Sequence, residues 1–207
     1  MASRATIAAL FAAAIMAGPA SVSASAVMPQ SVLGHFPDED AMFLAIYDQV
    51  AGFTIGFDPD DELRIAESVH RAAIEEQVDP FLLLAVIYVE SRFIRGQVSR
   101  AGAMGLMQVK PATAEAFAIS ANVRWRGPAT LFDIESNIRI GAHYLAFKLQ
   151  RFDDDEMLAL AAYCHGPTRI RRMLRDDGAL DEEHLRYSQR VLRMYQFYRG
   201  STGLPIG

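Results

Sequence analysis

Residues 79–90 read DPFLLLAVIYVE, and this stretch decides the fold of the chain. Its first two residues, Asp79 and Pro80, form a helix start signal, because aspartate caps helix N-termini and proline is favoured at the first helical position. The nine residues that follow are all apolar, so a helix over residues 81–89 has no polar face. Such a helix is buried on every side. The stretch therefore predicts a central helix within a helical domain.

Helix start and stop signals continue on both sides of this stretch. Asp60 or Asp61 is expected to cap a helix upstream, and Asp133 to cap a longer helix downstream. Residues 96–109 contain three glycines and are predicted to form a loop. No strand-like alternation of apolar and polar residues is present, so we expect an all-α domain of seven to eight short helices. Further helices are predicted over residues 38–50, 110–119, 153–164, 167–175 and 181–199.

The composition describes one globular domain and excludes several classes of protein. The 207 residues are 51% hydrophobic and 22% charged, which is enough apolar material for one sizeable core. The 25 acidic residues outnumber the 20 basic ones, so no excess of positive charge favours a nucleic-acid partner. A single cysteine excludes an intramolecular disulfide.

The first 26 residues are predicted to be a cleaved secretory signal peptide. They contain one positive charge at Arg4, a short apolar run over residues 5–17 and an Ala-Ser-Ala cleavage site at residues 24–26. No cysteine lies near that site, so we expect an exported, soluble periplasmic protein that is not a lipoprotein. An uncleaved membrane anchor is the alternative, because no charge lies between Arg4 and Asp38. The rest of the chain is expected to contain an extension over residues 27–57, a domain over 58–200 and a flexible tail over 201–207.

Glu90 is a polar residue at a position where the sequence predicts burial. It follows nine apolar residues at the end of the predicted central helix. Burial and the negative end of the helix dipole both disfavour the carboxylate, so we expect a raised pKa. A carboxyl group that keeps its proton near neutral pH can serve as a general acid. The alternatives are an ion pair with Arg92 or Arg95 and a side chain turned towards solvent.

Residues 90–114 carry a spaced motif. It consists of Glu-Ser, a serine nine residues after the glutamate, then Gly-Ala-Met-Gly-Leu-Met-Gln and Pro-Ala-Thr-Ala. In order and spacing the motif resembles the active-site segment of soluble lytic transglycosylases, which share the goose-type lysozyme-like fold and cleave peptidoglycan. The resemblance covers about residues 61–198 and implies a single lysozyme-like domain. Its later matches lie at residues 137–145, 161–167 and 187–198.

The resemblance also implies a catalytic group. Glu90 corresponds to the catalytic acid, Ser99 to a serine that hydrogen-bonds its carboxyl group, and Tyr163 to a tyrosine whose hydroxyl points at it. In the family one glutamate acts twice, first as acid on the glycosidic oxygen and then as base on the C6 hydroxyl of the same muramic acid ring. That second step closes a 1,6-anhydro bond.

A second catalytic carboxylate is absent from the matched motif. Ordinary glycosidases use two carboxyl groups, and intramolecular attack by the C6 hydroxyl removes the need for the second. Asp133, Glu135 and Glu156 are the nearest candidates for a hidden partner. Each of them lies where a helix start uses it as a cap or a first-turn charge.

Four residues of the motif are assigned to substrate binding. Gly102 and Gly105 let the backbone approach a sugar closely, unless they only form a tight turn. Gln108 offers amide donors and an acceptor for the acetamido and hydroxyl groups of amino sugars. Met107 provides an apolar wall, although methionine is also a common core residue.

The chain departs from the family pattern at two places. Cys164 and His165 stand where the family usually has Asn-Ala, so Cys164 is kept as a substrate-binding position that lacks the amide. A Cys–His nucleophile is disfavoured, because sequence neighbours on a helix do not face each other. At position 110 the family commonly has methionine, whereas this chain has Lys110. Lys110 either contacts a carboxylate of the muramic lactyl group or of the peptide, or it is solvated. The same alternatives, a solvated face or contact with anionic cell-wall stems, apply to the arginines within residues 169–175.

The sequence thus predicts a peptidoglycan lytic transglycosylase that cleaves the MurNAc-GlcNAc β-1,4 bond. The alternatives are a hydrolytic muramidase on the same scaffold and a catalytically weak glycan-binding or secretion-apparatus scaffold. No zinc or calcium signature is present, so no metal or cofactor is expected. The expected partners are peptidoglycan glycan strands, with a secretion, pilus or flagellar assembly left open, and we expect a monomer.

Overall fold

The computed structural model describes residues 40–54 and 57–201. The predicted signal peptide, much of the predicted extension and residues 202–207 lie outside these ranges. Within them the chain forms eight α-helices, one 3-10 helix and no strand beyond two isolated bridges, which confirms the predicted all-α domain. The helices are α1 (Asp40–Phe53), α2 (Pro59–Glu76), α3 (Pro80–Ser91), α4 (Pro111–Phe117), α5 (Ile134–Arg151), α6 (Glu156–His165), α7 (Pro167–Asp177) and α8 (Glu182–Ser201), and the 3-10 helix covers Pro128–Phe132.

Aspartate caps fix where several helices begin. Asp79 caps α3 and Asp133 caps α5, as predicted, with carboxylate oxygens 2.8 Å and 2.9 Å from backbone amides of the first turn. The cap of α2 is Asp58, so the prediction of Asp60 or Asp61 was wrong. The reason is that the proline after Asp58 takes the first helical position, which leaves Asp60 and Asp61 in the first turn.

The central helix of the domain is α3. Residues 81–87 are at most 2% exposed, which confirms the predicted burial for this part of the helix, whereas Tyr88 and Val89 in its last turns are half-buried. It packs against α1, α2 and α8, and α8 in turn packs against α6. The C-terminal ends of α3 and α6 therefore meet the same helix, and this junction positions the candidate site.

The predicted glycine-rich loop between α3 and α4 is held by one buried side chain. Asn137 on α5 accepts a hydrogen bond from the backbone amide of Met107 at 2.8 Å. Its amide group donates to the carbonyl of Met104 at 3.0 Å and to that of Leu131 at 2.9 Å. Because all three backbone groups are buried or partly buried, Asn137 fixes Met104 and Met107 of the loop to α5 and to the 3-10 helix that contains Leu131.

The last helices follow the predicted breaks closely. Gly166, with a φ of +87°, ends α6, and Pro167 begins α7. Helix α8 includes Ser201, so it continues one residue into the range that the sequence assigns to a flexible tail. In the part of the chain that the structure describes, no helix combines the length and the apolar character needed to cross a bilayer.

Candidate active site

Glu90 lies in the last turn of α3 and is half-buried. The guanidinium of Arg92 lies 4.3 Å from the centroid of the Tyr88 ring and donates a hydrogen bond to its hydroxyl. Arg95 pairs with Asp61 at 3.2 Å. Among residues 40–54 and 57–201 no ion pair involves Glu90. These contacts exclude the arginine pairs that the sequence left open.

Burial raises the pKa of Glu90 to about 7, in the predicted direction. Two groups on α8 oppose this rise without cancelling it. The hydroxyl of Tyr187 donates a 2.7 Å hydrogen bond to Oε1 of Glu90, and the positive charge of Arg190 favours the carboxylate. Glu90 is therefore a carboxyl group that can both hold and release a proton near neutral pH.

The resemblance implies that the hydroxyl of Tyr163 points at Glu90, but the structure gives this hydroxyl a different acceptor. This hydroxyl donates to the backbone carbonyl of Met107 at 2.8 Å, so its single proton is used by the loop. Tyr187 makes the contact with Glu90 instead. Burial, and then the negative charge of Glu90, raises the pKa of Tyr163. Sequence reasoning missed the role of Tyr187, although it matched the surrounding segment to the family.

Ser99 also differs from its predicted role. Its Oγ accepts a 3.0 Å hydrogen bond from the backbone amide of Ala103 within a tight turn. Across the described ranges no hydrogen bond joins Ser99 to Glu90, so the predicted bond is not present. Gly102 lies in the same turn with a φ of +76°, is exposed and has open space where a Cβ would point. The tight turn is the alternative that the sequence left open, and the assignment of Gly102 to substrate binding stays a prediction.

Gly105 and Met107 face the protein interior rather than solvent. A Cβ on Gly105 would lie 2.1 Å from Nδ2 of Asn137 and 2.3 Å from the carbonyl oxygen of Leu131. The side chain of Met107 is 0% exposed and fills the space above Gly141. The sequence predicts that a sugar approaches the backbone at Gly105, but the side chain of Asn137 occupies this space. Met107 is predicted to form an apolar wall of the substrate site, but its side chain lies in the core.

Gln108 braces the loop with the amide group predicted to bind sugar. Its Nε2 donates to the backbone carbonyl of Gln97 at 3.1 Å and to that of Gly105 at 2.8 Å. The residue itself adopts a φ of +48°. Both amide protons serve the protein, so the side chain has only its Oε1 left for a ligand.

Cys164 lies exposed near the end of α6. Partial burial among its neighbours raises the pKa of the thiol to about 11, the charge of Glu90 acts in the same direction, and Arg190 and Lys110 act against it. The thiol is thus neutral near pH 7. The ring of His165 packs against that of His184, with centroids 4.9 Å apart. A Cys–His nucleophile is not formed.

The candidate second carboxylates are used elsewhere. Asp133 pairs with Arg64 at 3.2 Å, and Glu135 pairs with Arg71 at 2.8 Å. Glu156 lies in the first turn of α6. None of the three is among the groups that shift the pKa of Glu90. In the described segments no group of His, Cys, Asp and Glu side chains has the arrangement to hold a metal ion.

Two depressions on the described surface, of about 480 and 250 Å³, are not part of this cluster. The larger is bordered by the 3-10 helix and the start of α5, and the smaller by the start of α2 and the loop after α3. Neither is lined by Glu90, Cys164 or Tyr187. The carboxyl group lies instead at the junction of α3, α6 and α8.

The family model described as the transglycosylase SLT domain matches residues 67–186, more than half of the chain. The chain belongs to this family. Within the SLT domain, the matched range includes Glu90, Ser99, Gln108 and Tyr163, and Tyr187 follows directly after it.

Relatives of this SLT chain include soluble and membrane-bound proteins. It is 34% identical over 135 residues to the soluble lytic murein transglycosylase of Salmonella typhimurium, covering 58% of this chain and 20% of that protein. It is 31% identical over 150 residues to the membrane-bound lytic murein transglycosylase F of Desulfosudis oleivorans, covering 67% and 31%. The crystal structure of the 70 kDa soluble lytic transglycosylase of Escherichia coli superposes with a TM-score of 0.63 at 26% identity, covering 79% of this chain and 29% of that one. The chain thus spans between a fifth and a third of the length of these relatives.

Proposed function

We propose that this chain is a peptidoglycan lytic transglycosylase that cleaves the β-1,4 bond between N-acetylmuramic acid and N-acetylglucosamine. Membership of the SLT family supports the substrate and the type of reaction. The observation that carries the proposal is the half-buried carboxyl group of Glu90, which has a pKa of about 7, a hydrogen bond from Tyr187 and no ion pair in the described ranges.

In the first step Glu90 acts as the general acid. The hydroxyl of Tyr187 donates to Oε1, so the proton of the neutral carboxyl group lies on Oε2, the oxygen left free for substrate. Transfer of that proton to the glycosidic oxygen lets N-acetylglucosamine leave with a free 4-hydroxyl group. The positive charge of Arg190 and the Tyr187 hydrogen bond then stabilise the carboxylate that forms.

In the second step the same carboxylate acts as the base. It removes the proton of the C6 hydroxyl group of the muramic acid ring, and the oxygen bonds to C1 to form the 1,6-anhydro ring. The proton lost in the first step is thereby restored, and no water is consumed. Because nucleophile and electrophile belong to one sugar ring, the attack has a high effective molarity and needs no second carboxylate to activate water.

Residues around Glu90 are proposed to contact the glycan. Gly102 gives an exposed backbone segment, Oε1 of Gln108 accepts a hydrogen bond, and Cys164 contributes an exposed neutral surface near the end of α6. Ser99 supports the turn that presents Gly102. Gly105, Met107 and Tyr163 act by holding the loop in place.

Digestion of purified peptidoglycan in ¹⁸O-labelled water tests this proposal. We expect muropeptides that are lighter than the hydrolytic products by one water and that carry no label. Labelled products with ordinary reducing ends contradict it in favour of a muramidase. Binding without any product contradicts it in favour of a glycan-binding scaffold.

Export to the periplasm remains part of the proposal and rests on residues 1–26 of the sequence. Fractionation of cells that express the full chain tests it. Recovery of a shortened protein in the periplasmic fraction is expected, and recovery of the intact chain with the membranes contradicts it.

A further inference from the structure

Two histidine rings join the end of α6 to the start of α8. His165 is the last residue of α6, His184 lies in the first turn of α8, and their ring centroids are 4.9 Å apart. The side chain of His184 is only 7% exposed. In the part of the chain that the structure describes, Nε2 of His165 is buried and has no hydrogen-bond partner. Protonation of His165 is therefore costly, because a buried N–H without an acceptor loses the hydrogen bond that water would give it.

Asp181 holds the second ring of this pair in place. Its Oδ1 lies 2.9 Å from the backbone amide of His184 and 2.5 Å from Nδ1 of the same residue. The hydrogen bonds from His184, first that of the backbone, lower the pKa of Asp181, so its carboxylate accepts and Nδ1 donates. His184 therefore cannot turn away from His165 without losing a charge-assisted hydrogen bond.

The charges around His165 also disfavour its protonated form. Burial, and then the positive charges of His184 and of Arg169 on α7, lower the pKa of His165 from its ordinary value of 6.5. Glu183 on α8 and the backbone of His184 oppose this shift without cancelling it. The thiol of Cys164, the neighbour of His165 on α6, is neutral. His165 is thus neutral at pH 7, and acid adds a positive charge to a place that repels it.

The face of α8 that carries His184 also carries the contact with Glu90. Tyr187 and Ser188 follow His184 by three and four residues, so the three side chains share one face of the helix. The hydroxyl of Ser188 donates a 2.8 Å hydrogen bond to the backbone carbonyl of Met157 on α6. The hydroxyl of Tyr187 donates to Glu90 on α3. The histidine pair thus lies one helical turn from the tyrosine that contacts the candidate catalytic group.

We propose that His165 and His184 form a pH-sensitive latch, in which protonation of His165 separates the start of α8 from α6 and weakens the hydrogen bond from Tyr187 to Glu90. The latch is closed at neutral pH and opens on acidification. This inference rests on the proposed function, to which it adds an acid limit of activity. The general acid needs its own proton, so acid does not disable Glu90 directly, and the latch causes the loss of activity instead.

The variant His165→Ala tests the latch, and it carries the residue that the family usually has at this position. The pKa of His165 is measured by NMR titration of its ring, and kcat/KM on purified peptidoglycan is measured from about pH 4 to pH 7. One pH unit below that pKa, about nine tenths of the rings are protonated, so kcat/KM of the unsubstituted protein should be about tenfold lower than at neutral pH. His165→Ala should keep its neutral value there, and an unchanged decline overturns the latch.

His143→Ala is the matched control. His143 is a histidine on the α2–α5 face, where its Nδ1 lies 2.9 Å from a carboxylate oxygen of Glu76. This variant should show the same decline in acid as the unsubstituted protein. Loss of the decline in His143→Ala would overturn the assignment of the acid limit to the His165–His184 pair.

A double substitution tests whether the latch acts through Tyr187. The Tyr187→Phe protein already lacks the hydrogen bond to Glu90, so adding His165→Ala to it should not change the acid side of its pH profile. A shift of the same size with and without the tyrosine hydroxyl overturns the proposed route to Glu90.

Stability measurements separate this inference from the proposed function. Folding lowers the pKa of His165, so just below pH 6.5 the unfolded chain binds more protons at this residue, and stability falls as the pH falls. The free energy of unfolding of His165→Ala minus that of the unsubstituted protein should therefore increase from about pH 7 to about pH 5. The contribution of Glu90 cancels in this difference. Such an increase without any cleavage of peptidoglycan supports the strained pair and overturns the proposed function, whereas cleavage with a difference independent of pH overturns the latch.

Discussion

The hydroxyl of Tyr187 donates a 2.7 Å hydrogen bond to Oε1 of Glu90, although 97 positions separate the two residues in the sequence. The bond joins the end of the central helix α3 to α8. It holds the half-buried carboxyl group in place and partly offsets the rise in its pKa. Four predictions follow from this geometry and from the loop beside it.

The substitution Glu90→Gln is expected to lower turnover of peptidoglycan by about 10²–10⁴-fold, the usual contribution of a general acid or base. Glutamine keeps the shape of the side chain but cannot donate or accept the proton. Release of soluble muropeptides over time measures the effect. Undiminished release by a correctly folded variant would rule out Glu90 as the catalytic group.

The stability of the protein is expected to depend on pH through Glu90. Its pKa rises from 4.5 to about 7 on folding, so between these values the folded chain binds more protons than the unfolded chain. Stability therefore falls as the pH rises through this window. The Glu90→Gln variant lacks this loss. The free energy of unfolding of the variant minus that of the unsubstituted protein should therefore increase by on the order of 1–3 kcal/mol from about pH 5 to pH 8. Urea unfolding at several pH values measures it, and a difference independent of pH contradicts the buried, titrating carboxyl group.

The substitution Tyr187→Phe is expected to move the pH profile of activity. Removal of the hydrogen bond takes away an interaction that lowers the pKa of Glu90, so the decline in kcat/KM on the basic side should shift to higher pH. The fall in kcat is expected to be about tenfold or more, because hydrogen bonds to charged groups contribute about 1.5–3 kcal/mol.

Tyr195→Phe is the matched control for Tyr187→Phe. Tyr195 lies on the same helix and donates a 2.8 Å hydrogen bond to Asp79, away from Glu90. It should lower stability without moving the pH profile. Identical profiles for the two variants would show that the Tyr187 contact has no influence on the carboxyl group.

The substitution Gly105→Ala is expected to destabilise the loop beside the site. The new Cβ would lie 2.1 Å from Asn137, which holds the loop through two hydrogen bonds and the 3-10 helix through a third. Gly102→Ala is the control, because its φ of +76° is nearly the same as the +78° of Gly105 but its Cβ meets open space. Gly105→Ala should reduce the free energy of unfolding by about 1–3 kcal/mol more than Gly102→Ala. Equal losses in chemical denaturation would mean that only the backbone conformation matters.

Local signals in the sequence were sufficient for the helical framework. Asp79-Pro80, the apolar residues 81–89 and Gly166-Pro167 act within one helical turn or one helix, and the structure has the start, the buried helix and the break where they were predicted. The cap of α2 was misassigned because several adjacent aspartates satisfy the same rule, and only the proline at position 59 distinguishes them.

The unusual carboxyl group can be identified without a structure, because Glu90 follows directly after an apolar helix. The groups that surround this carboxyl group depend on how distant parts of the chain pack together. Tyr187 rather than Tyr163 reaches Glu90, and Asn137 occupies the space beside Gly105. These contacts join residues 32 to 97 positions apart, and their partners are chosen by how α3, α5, α6 and α8 pack rather than by any periodicity along the chain.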